Sequence, residues 1–395
     1  MAKGPKYVTR AGKFVHQSEG FRAFIPNSLP PDPPLCIDGE TLRLHESAVL
    51  RLGRLDGLTT NLPNPNLFLA MYVRKEAVLS SQIEGTQATL EDVLSYEIQR
   101  DTSGPAGDAA EVTNYVRAMN YGLERCKTLP LSLRLIREIH GELMRDVRGG
   151  ELARTPGEFR TSQNWIGPLG STLNEASFVP PPVNEMKQSL YDWENFQHSE
   201  EPISVLVKSA IMHAQFETIH PFVDGNGRIG RLLITFQLCQ AGLLHSPLLY
   251  LSYYFKTYRE EYYHRLDQVR RQGDWEGWLL FFLRGVATVA KQATETAEAI
   301  LDLHSVMAEA VQAARPRGAR NALRALDYLF DRPFITSSSL QSALSITAPT
   351  ANALIEAFVE IDALTEITQQ SYGRTYRFAP YIDLLRDATS EPPGV

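Results

Sequence analysis

Apolar residues recur at helical spacing along most of the chain, and strand-like alternation is confined to short stretches. Residues 1–39 are rich in Pro and Gly and read as an extended arm with one strand. Helical periodicity starts near Thr41 and runs to about Leu55, and the Asn- and Pro-rich run 61–66 breaks it. A second helix is predicted from about Leu67 to Glu84, with Gly85 placed to end it. Thr89 and Asp92 have the spacing of a capping box that opens the next helix. Residues 101–109 read as a loop, and further helices are predicted at about 110–126, 131–147, 183–198, 203–219, 227–241, 250–271 and 275–309.

The stretch 157–182 departs from this pattern. Isolated apolar residues, among them Phe159, Trp165, Ile166 and Phe178, stand between Gly, Pro, Asn and Ser, and predict a short hairpin followed by a Pro-Pro-Pro turn. Beyond a linker at 315–318 come short helices at about 319–330, 337–343 and 348–360, then strand-like pieces at 364–368 and 374–378. Three helices and a two-stranded wing describe a winged helix-turn-helix. The expected organisation is an N-terminal region over 1–100, a core over 101–312 and a winged-helix domain over 313–395.

Bulk properties narrow the function without naming it. The 395 residues suffice for two or three domains with cores, and a net charge of −7 argues against a chain-wide nucleic-acid footprint. Cys36, Cys126 and Cys239 are far apart and form no CxxC, so neither a zinc ribbon nor a disulfide framework is indicated. The start has basic residues with no apolar run behind them, and no stretch approaches a membrane span, so a cytoplasmic location is expected.

The densest chemistry lies at 220–231, His-Pro-Phe-Val-Asp-Gly-Asn-Gly-Arg-Ile-Gly-Arg. Pro221 should end the preceding helix near His220, and Gly225-Asn226-Gly227 then opens a new one. Bare backbone N–H groups at a helix start form an anion site. Arg228 and Arg231, three apart, can share a face of the first turns and suit a polyphosphate. Asp224 is a natural Mg²⁺ ligand beside phosphates, and His220 can take a proton near neutral pH. Residues 225–230 also match G-x-G-x-x-G, but a helix rather than a strand precedes them, so a dinucleotide fold is rejected. A tight interhelical turn would explain the glycines but not the His, Asp and two Arg beside them.

This run resembles the signature of the Fic family, H-x-F-x-[DE]-G-N-G-R-x-x-R, at every defined position. The resemblance implies a mainly α fold, a helical core with a β-hairpin flap, and transfer of AMP from ATP to Ser, Thr or Tyr hydroxyls with loss of pyrophosphate. By that resemblance His220 is the general base, Asp224 holds Mg²⁺ (or Mn²⁺), and Gly225, Asn226 and Gly227 bind the α- and β-phosphates. Arg228, Ile229 and Gly230 continue the phosphate-binding run, and Arg231 reaches the γ-phosphate.

Ser80 and Glu84 share a helix face, with Glu84 at a C-terminal end where a carboxylate is disfavoured by the helix dipole. Ser80 to Gly85 is similar to the family's inhibitory motif, [ST]-x-x-x-E-[GN], whose glutamate pairs with the second signature arginine and prevents productive ATP binding. By the same resemblance Trp165, Ile166 and Gly167 belong to a flap whose edge pairs with the target backbone. Tyr250, Tyr254, Tyr258 and Tyr262 recur every four residues and read first as core packing, yet Tyr262 and Tyr263 fall where the family contacts adenine. His213 lacks metal spacing and reads as a packed or surface histidine.

The helix at 348–360 has no Lys or Arg and carries Glu356 and Glu360, so DNA is disfavoured and protein contacts or homodimerisation are expected of the winged helix. The expected function is an autoinhibited protein adenylyltransferase whose target is another protein or the chain itself. Removal of AMP, a different phosphate donor, and a DNA-binding regulator are the alternatives.

Overall fold

The computed structural model describes residues 8–60, 66–99, 107–145, 155–168, 170–316, 318–368 and 373–387. The chain opens with an antiparallel meander of β1 (Val8–Thr9), β2 (Gly12–His16) and β3 (Arg22–Pro26), where one strand was expected. These strands are too short to declare themselves by alternation. They are held by packing: Phe14 opposes Phe24 with ring centres 4.9 Å apart, and the Phe24 N–H donates to the Val179 carbonyl at 2.9 Å.

Helices follow: α1 (Gly39–Thr60), α2 (Asn66–Ile83), α3 (Leu90–Gln99), α4 (Asp108–Cys126), α5 (Leu133–Leu143), α6 (Val183–Gln197), α7 (Val205–Ile219) and α8 (Asn226–Gln240). Next come α9 (Ser252–Thr257), α10 (Arg259–Gln272) and α11 (Trp275–Ala314). The capping box is formed, with the Thr89 and Asp92 side chains each accepting from the other's backbone N–H. Helix α5 stops at Leu143, short of the expected 147, and the region just past Arg145 lies outside the described residues.

The helix expected over 250–271 is two helices. Tyr258 has φ −108° and ψ 44°, so α9 and α10 meet at a break. The tyrosine stripe therefore does not run along one helix, although Tyr250, Tyr254 and Tyr262 are all buried.

The 40-residue α11 lies along α1, started by the Asp274 side chain, which accepts from the Gly277 N–H at 3.0 Å. Helices α7 and α8 form the central hairpin and are buried on nearly every side, so their apolar pattern is continuous rather than amphipathic. The C-terminal part contains α12 (Ala319–Asp331), β4 (Phe334–Thr336), α13 (Ser337–Leu344), α14 (Ala348–Glu360), β5 (Leu364–Glu366), β6 (Thr375–Phe378) and α15 (Ala379–Asp387), with antiparallel strand order β4-β6-β5. Strand β4 and helix α15 were not anticipated. One hydrophobic core runs from Ala11 to Leu385 and joins these parts. Among the described residues no helix is long and apolar enough to cross a membrane.

Candidate active site

Helix α7 ends at His220, whose backbone is left-handed at φ 49° and ψ 60°. That conformation is costly for a non-glycine residue and marks a position fixed by its surroundings. The surroundings are explicit: the buried Arg160 Nε donates to the His220 carbonyl at 3.0 Å, and Asn164 Nδ2 donates to it at 3.2 Å. The loop after it is tied by Asn226, whose Oδ1 accepts from the Phe222 N–H at 2.8 Å while its Nδ2 donates to the Phe222 carbonyl at 2.9 Å. The Asn226 side chain thus locks the loop. Gly225 has φ 79°, which favours glycine, and a Cβ there would also crowd the Met144 sulfur at 3.1 Å. Asn226→Ala would leave buried polar groups of Phe222 unpaired, and should cost about 2 kcal/mol of stability by urea denaturation.

Behind the loop, His140 stacks on Phe222 at 3.7 Å. Its Nδ1 accepts from the Gly157 N–H at 2.9 Å, so Nε2 carries the proton it donates to the Asp224 carbonyl at 3.1 Å. Burial lowers the His140 pKa to about 4, which agrees with this neutral tautomer.

The two signature arginines bond in different directions. Arg228 Nη1 donates to Glu111 at 3.3 Å, and its Nη2 lies 3.5 Å from Asp224. Arg231 turns the other way: Nε donates to the Ser80 hydroxyl at 2.8 Å, and Nη2 to the Ser80 carbonyl at 3.0 Å and to Glu84 at 2.7 Å. Spacing of three placed them on neighbouring positions, but each follows the acid its own side of α8 meets. Burial works against the Arg231 charge, and Glu84, Tyr262 and Glu217 outweigh it, so its pKa is raised well above the ordinary value.

Glu84 sits just past the end of α2, before Gly85 at φ 103°. Helix α2 is anchored by the buried Glu76, which accepts from Tyr115 Oη at 3.2 Å and from the Ser252 N–H at 3.2 Å. The Glu84 carboxylate rests so closely on Gly227 that a Cβ there would overlap Glu84 Oε1. It therefore covers the start of α8, the positive end of the helix dipole.

Further along α8, Ile229 is fully buried in the core. The Gly230 carbonyl lies 3.0 Å from His213 Nδ1, and His213 Nε2 lies 2.9 Å from the Tyr262 hydroxyl. His213 is a packed core histidine, and the Tyr262 hydroxyl is engaged with it. A Cβ at Gly230 would overlap Glu217, whose buried Oε1 has no hydrogen-bond partner. Burial raises the Glu217 pKa to about 7.

A cleft of about 730 Å³ brings Glu84, His220, Gly227, Arg231, Tyr262 and Tyr263 onto one surface. Trp165, Ile166 and Gly167 also line it, and Arg270 and Arg271 pack against their neighbours, Arg270 over the Phe178 ring and Arg271 on the Ser177 carbonyl. Asp224 stands beside the cleft on the loop, its side chain 37% exposed. His220 Nδ1 is buried without a partner, and burial, then Arg270, lowers the ring's pKa to about 4. At neutral pH the ring is an unprotonated base.

Among the described residues the expected hairpin shows one antiparallel bridge, Ile166 with Phe178, bonded at 2.8 and 3.1 Å. Regular pairing gives way because the prolines at 180–182 cannot donate and Arg160 fastens the segment to the Pro181 carbonyl. Trp165 Nε1 donates to the Ser171 carbonyl at 3.0 Å, while the Trp165 and Ile166 side chains remain partly exposed at the cleft mouth. The flap resemblance, which runs from Glu158 to Gly167, takes in Arg160 and Asn164 only as part of a hairpin edge, and His140 and Glu217 were assigned no role. Their patterns are those of a loop or a helix face, and nothing local marks them as supports of His220 and Asp224.

Residues 42–124 match the family model described as Fic/DOC family N-terminal, and residues 130–238 match the Fic/DOC family model. A probable protein adenylyltransferase of Aquifex aeolicus (strain VF5) is 29% identical over 199 residues, 49% of this chain and 56% of its own length. The protein adenylyltransferase Fic of Drosophila grimshawi is 30% identical over 197 residues, 49% of this chain and 37% of its own length. The matched region thus spans about half or less of these curated relatives. A crystal structure of a Fic family protein from Desulfovibrio desulfuricans G20 aligns over 88% of this chain and 98% of its own, with a TM-score of 0.54 at 21% identity, and shows the same fold. With His220, Gly227 and Arg231 on one cleft and both family segments matched in order, residues 42–238 of this chain belong to the Fic/DOC family.

Proposed function

We propose that this chain is a protein adenylyltransferase, organised as an N-terminal region over 1–100, a catalytic core over 101–312 and a winged-helix domain over 313–395. The observation that carries the reading is the meeting of a helix-start anion site, a buried arginine and an unprotonated histidine on one cleft. ATP lies with its phosphates over Gly225, Gly227 and the first turn of α8, and Tyr263 offers a half-exposed ring to the base. The target hydroxyl attacks the α-phosphorus, the bond to the bridging oxygen breaks, and pyrophosphate leaves. His220 accepts the hydroxyl proton.

The residues fit a magnesium ion. One partly exposed carboxylate, Asp224, stands at the phosphate site, which suits Mg²⁺ or Mn²⁺ coordinated largely by phosphate oxygens and water. When bound, the metal would neutralise charge on the phosphates.

Glu84 is the brake in this reading. It places a carboxylate on Arg231 and on the start of α8, the positions an ATP phosphate needs. The exposed face of α14 carries Glu356 and Glu360 and no basic residue, so the C-terminal module is assigned to protein contacts rather than DNA.

The test incubates the full chain with Mg²⁺ and ATP labelled at either the α- or the γ-phosphate. Label should enter protein from the α-position alone, on a target or on the chain itself. Label from the γ-position would make the protein a phosphotransferase. Absence of α-label even from a Glu84→Gly variant, with a protein extract supplied as target, would sink AMP transfer.

A further inference from the structure

The cleft holds a buried acid that the transfer chemistry leaves unused. Glu217 stands three residues before His220 on α7, is 7% exposed, and lines the cleft together with His220 and Arg231. Its Oε1 is packed against Gly230 of α8, and among the described residues nothing donates a hydrogen bond to that oxygen. A second acid in the field of Arg231, Glu76, is satisfied by contrast: it accepts from Tyr115 Oη and from the Ser252 N–H, each at 3.2 Å.

Two cations face Glu217, and both direct hydrogen bonds elsewhere. Arg231 gives Nε and Nη2 to Ser80 and Glu84. Arg270 of α10 gives Nε to the Thr218 hydroxyl at 3.2 Å and Nη2 to the Glu217 backbone carbonyl at 3.3 Å. The Glu84 carboxylate faces Glu217 from the end of α2, Tyr262 faces it from α10, and His213 of α7 borders the same Gly230. An ionised carboxylate out of water, with one oxygen unbonded, is held only by the charges of Arg231 and Arg270. Burial outweighs that attraction and raises the Glu217 pKa to about 7, so both forms are populated at neutral pH.

We propose that the cleft takes up a nucleoside triphosphate together with one proton from solvent, and that the Glu217 carboxylate accepts that proton. This rests on reading the cleft as the nucleotide site. The carboxylate becomes a neutral carboxylic acid, its charge goes from −1 to 0, and no other bond forms or breaks. Phosphates beside Arg231 offset the attraction that kept Glu217 ionised and add repulsion of their own. Neutral Glu217 also gains an O–H to donate, where an ionised one has only acceptors. Nucleotide affinity therefore falls as pH rises, because an ionised Glu217 must first be protonated.

The experiment is titration calorimetry of the full chain carrying Glu84→Gly, in buffers of different ionisation enthalpy at pH 6 and pH 8. The probe is α,β-methylene ATP, which cannot release pyrophosphate, with Mg²⁺ in excess to keep the free phosphates ionised. Proton uptake per nucleotide should rise from about one-tenth at pH 6 to about nine-tenths at pH 8, for a free-state pKa of about 7. Loss of the Glu84 charge, which raises the Glu217 pKa, makes the uptake larger at each pH. Glu217→Gln in the same background should abolish the uptake and bind the analogue about tenfold more tightly than its parent at pH 8, with little difference at pH 6. His264, an exposed histidine of the cleft lining, supplies the control, and His264→Gln should keep the uptake. Uptake that fails to rise with pH, survives Glu217→Gln or disappears with His264→Gln overturns the proposal. If Glu217→Gln does not fold, the proton counts of the parent and of the His264 variant still decide it. Analogue binding without proton uptake strikes the proposal alone, whereas absence of binding in every variant strikes the nucleotide reading and the proposal together.

Discussion

Glu84→Gly should raise the rate of AMP transfer by about ten- to a hundredfold, the range set by a charge-assisted hydrogen bond of about 1.5–3 kcal/mol that ATP must otherwise displace. The contact removed is the 2.7 Å bond from Arg231 Nη2 to Glu84, together with the carboxylate's seat over Gly227. Arg231 keeps its bonds to the Ser80 hydroxyl and carbonyl, so the guanidinium stays in place when Glu84 is lost and is free to meet a phosphate. The gain should fall mainly on ATP binding, because the change frees a site and does not alter the base. The check is kcat/KM for ATP with label at the α-phosphate, alongside ATP affinity by calorimetry. Equal values in mutant and wild type would remove Glu84 from any inhibitory role. Glu84→Gln is the companion variant: it keeps the shape but not the charge, and should give an intermediate rate.

His220→Ala should lower transfer by at least about a hundredfold in the Glu84→Gly background, the usual effect of losing a general base. His220 is held in a left-handed backbone by Arg160 and Asn164, and burial keeps its ring neutral. The pH profile adds a sign. A base with its pKa lowered to about 4 is competent above that value and lost as pH falls through it. The acid limb of the rate should therefore lie near pH 4 rather than near the 6.5 of an ordinary histidine. The Glu84 charge raises the His220 pKa, so Glu84→Gly should move that limb lower still. An acid limb near 6.5, or ATP affinity lost along with the rate, would assign His220 a different part.

The supports of His220 explain why the site is read with difficulty from the chain alone. Arg160 is 60 residues from His220 in sequence, and its value lies in three carbonyls it reaches at once, those of His220, Ser162 and Pro181. His140 sits on the apolar face of α5, where a histidine ordinarily means packing, and only stacking on Phe222 turns it into a positioning group for Asp224.

Local chemistry was nevertheless strong where it mattered. Pro221, the glycines at 225 and 227, and the acids and bases around them announced a helix end, a loop and a helix start, because each residue type acts on its own backbone. The capping box at Thr89 and the exit of α2 at Gly85 were legible for the same reason. Helices with one apolar stripe, such as α5, followed from period alone.

By itself, the amino-acid sequence determined the mainly helical class, the position of the signature loop and the identity of the groups around it, since these depend on neighbours within a few residues. The tertiary structure decided the rest. It sent Arg228 to Glu111 and Arg231 to Glu84, broke the tyrosine helix at Tyr258, and gave the expected hairpin a single bridge among the described residues. Each of these is set by which distant surface a side chain meets once the core has closed, and contacts between segments far apart in the chain leave no period or cap in the local sequence.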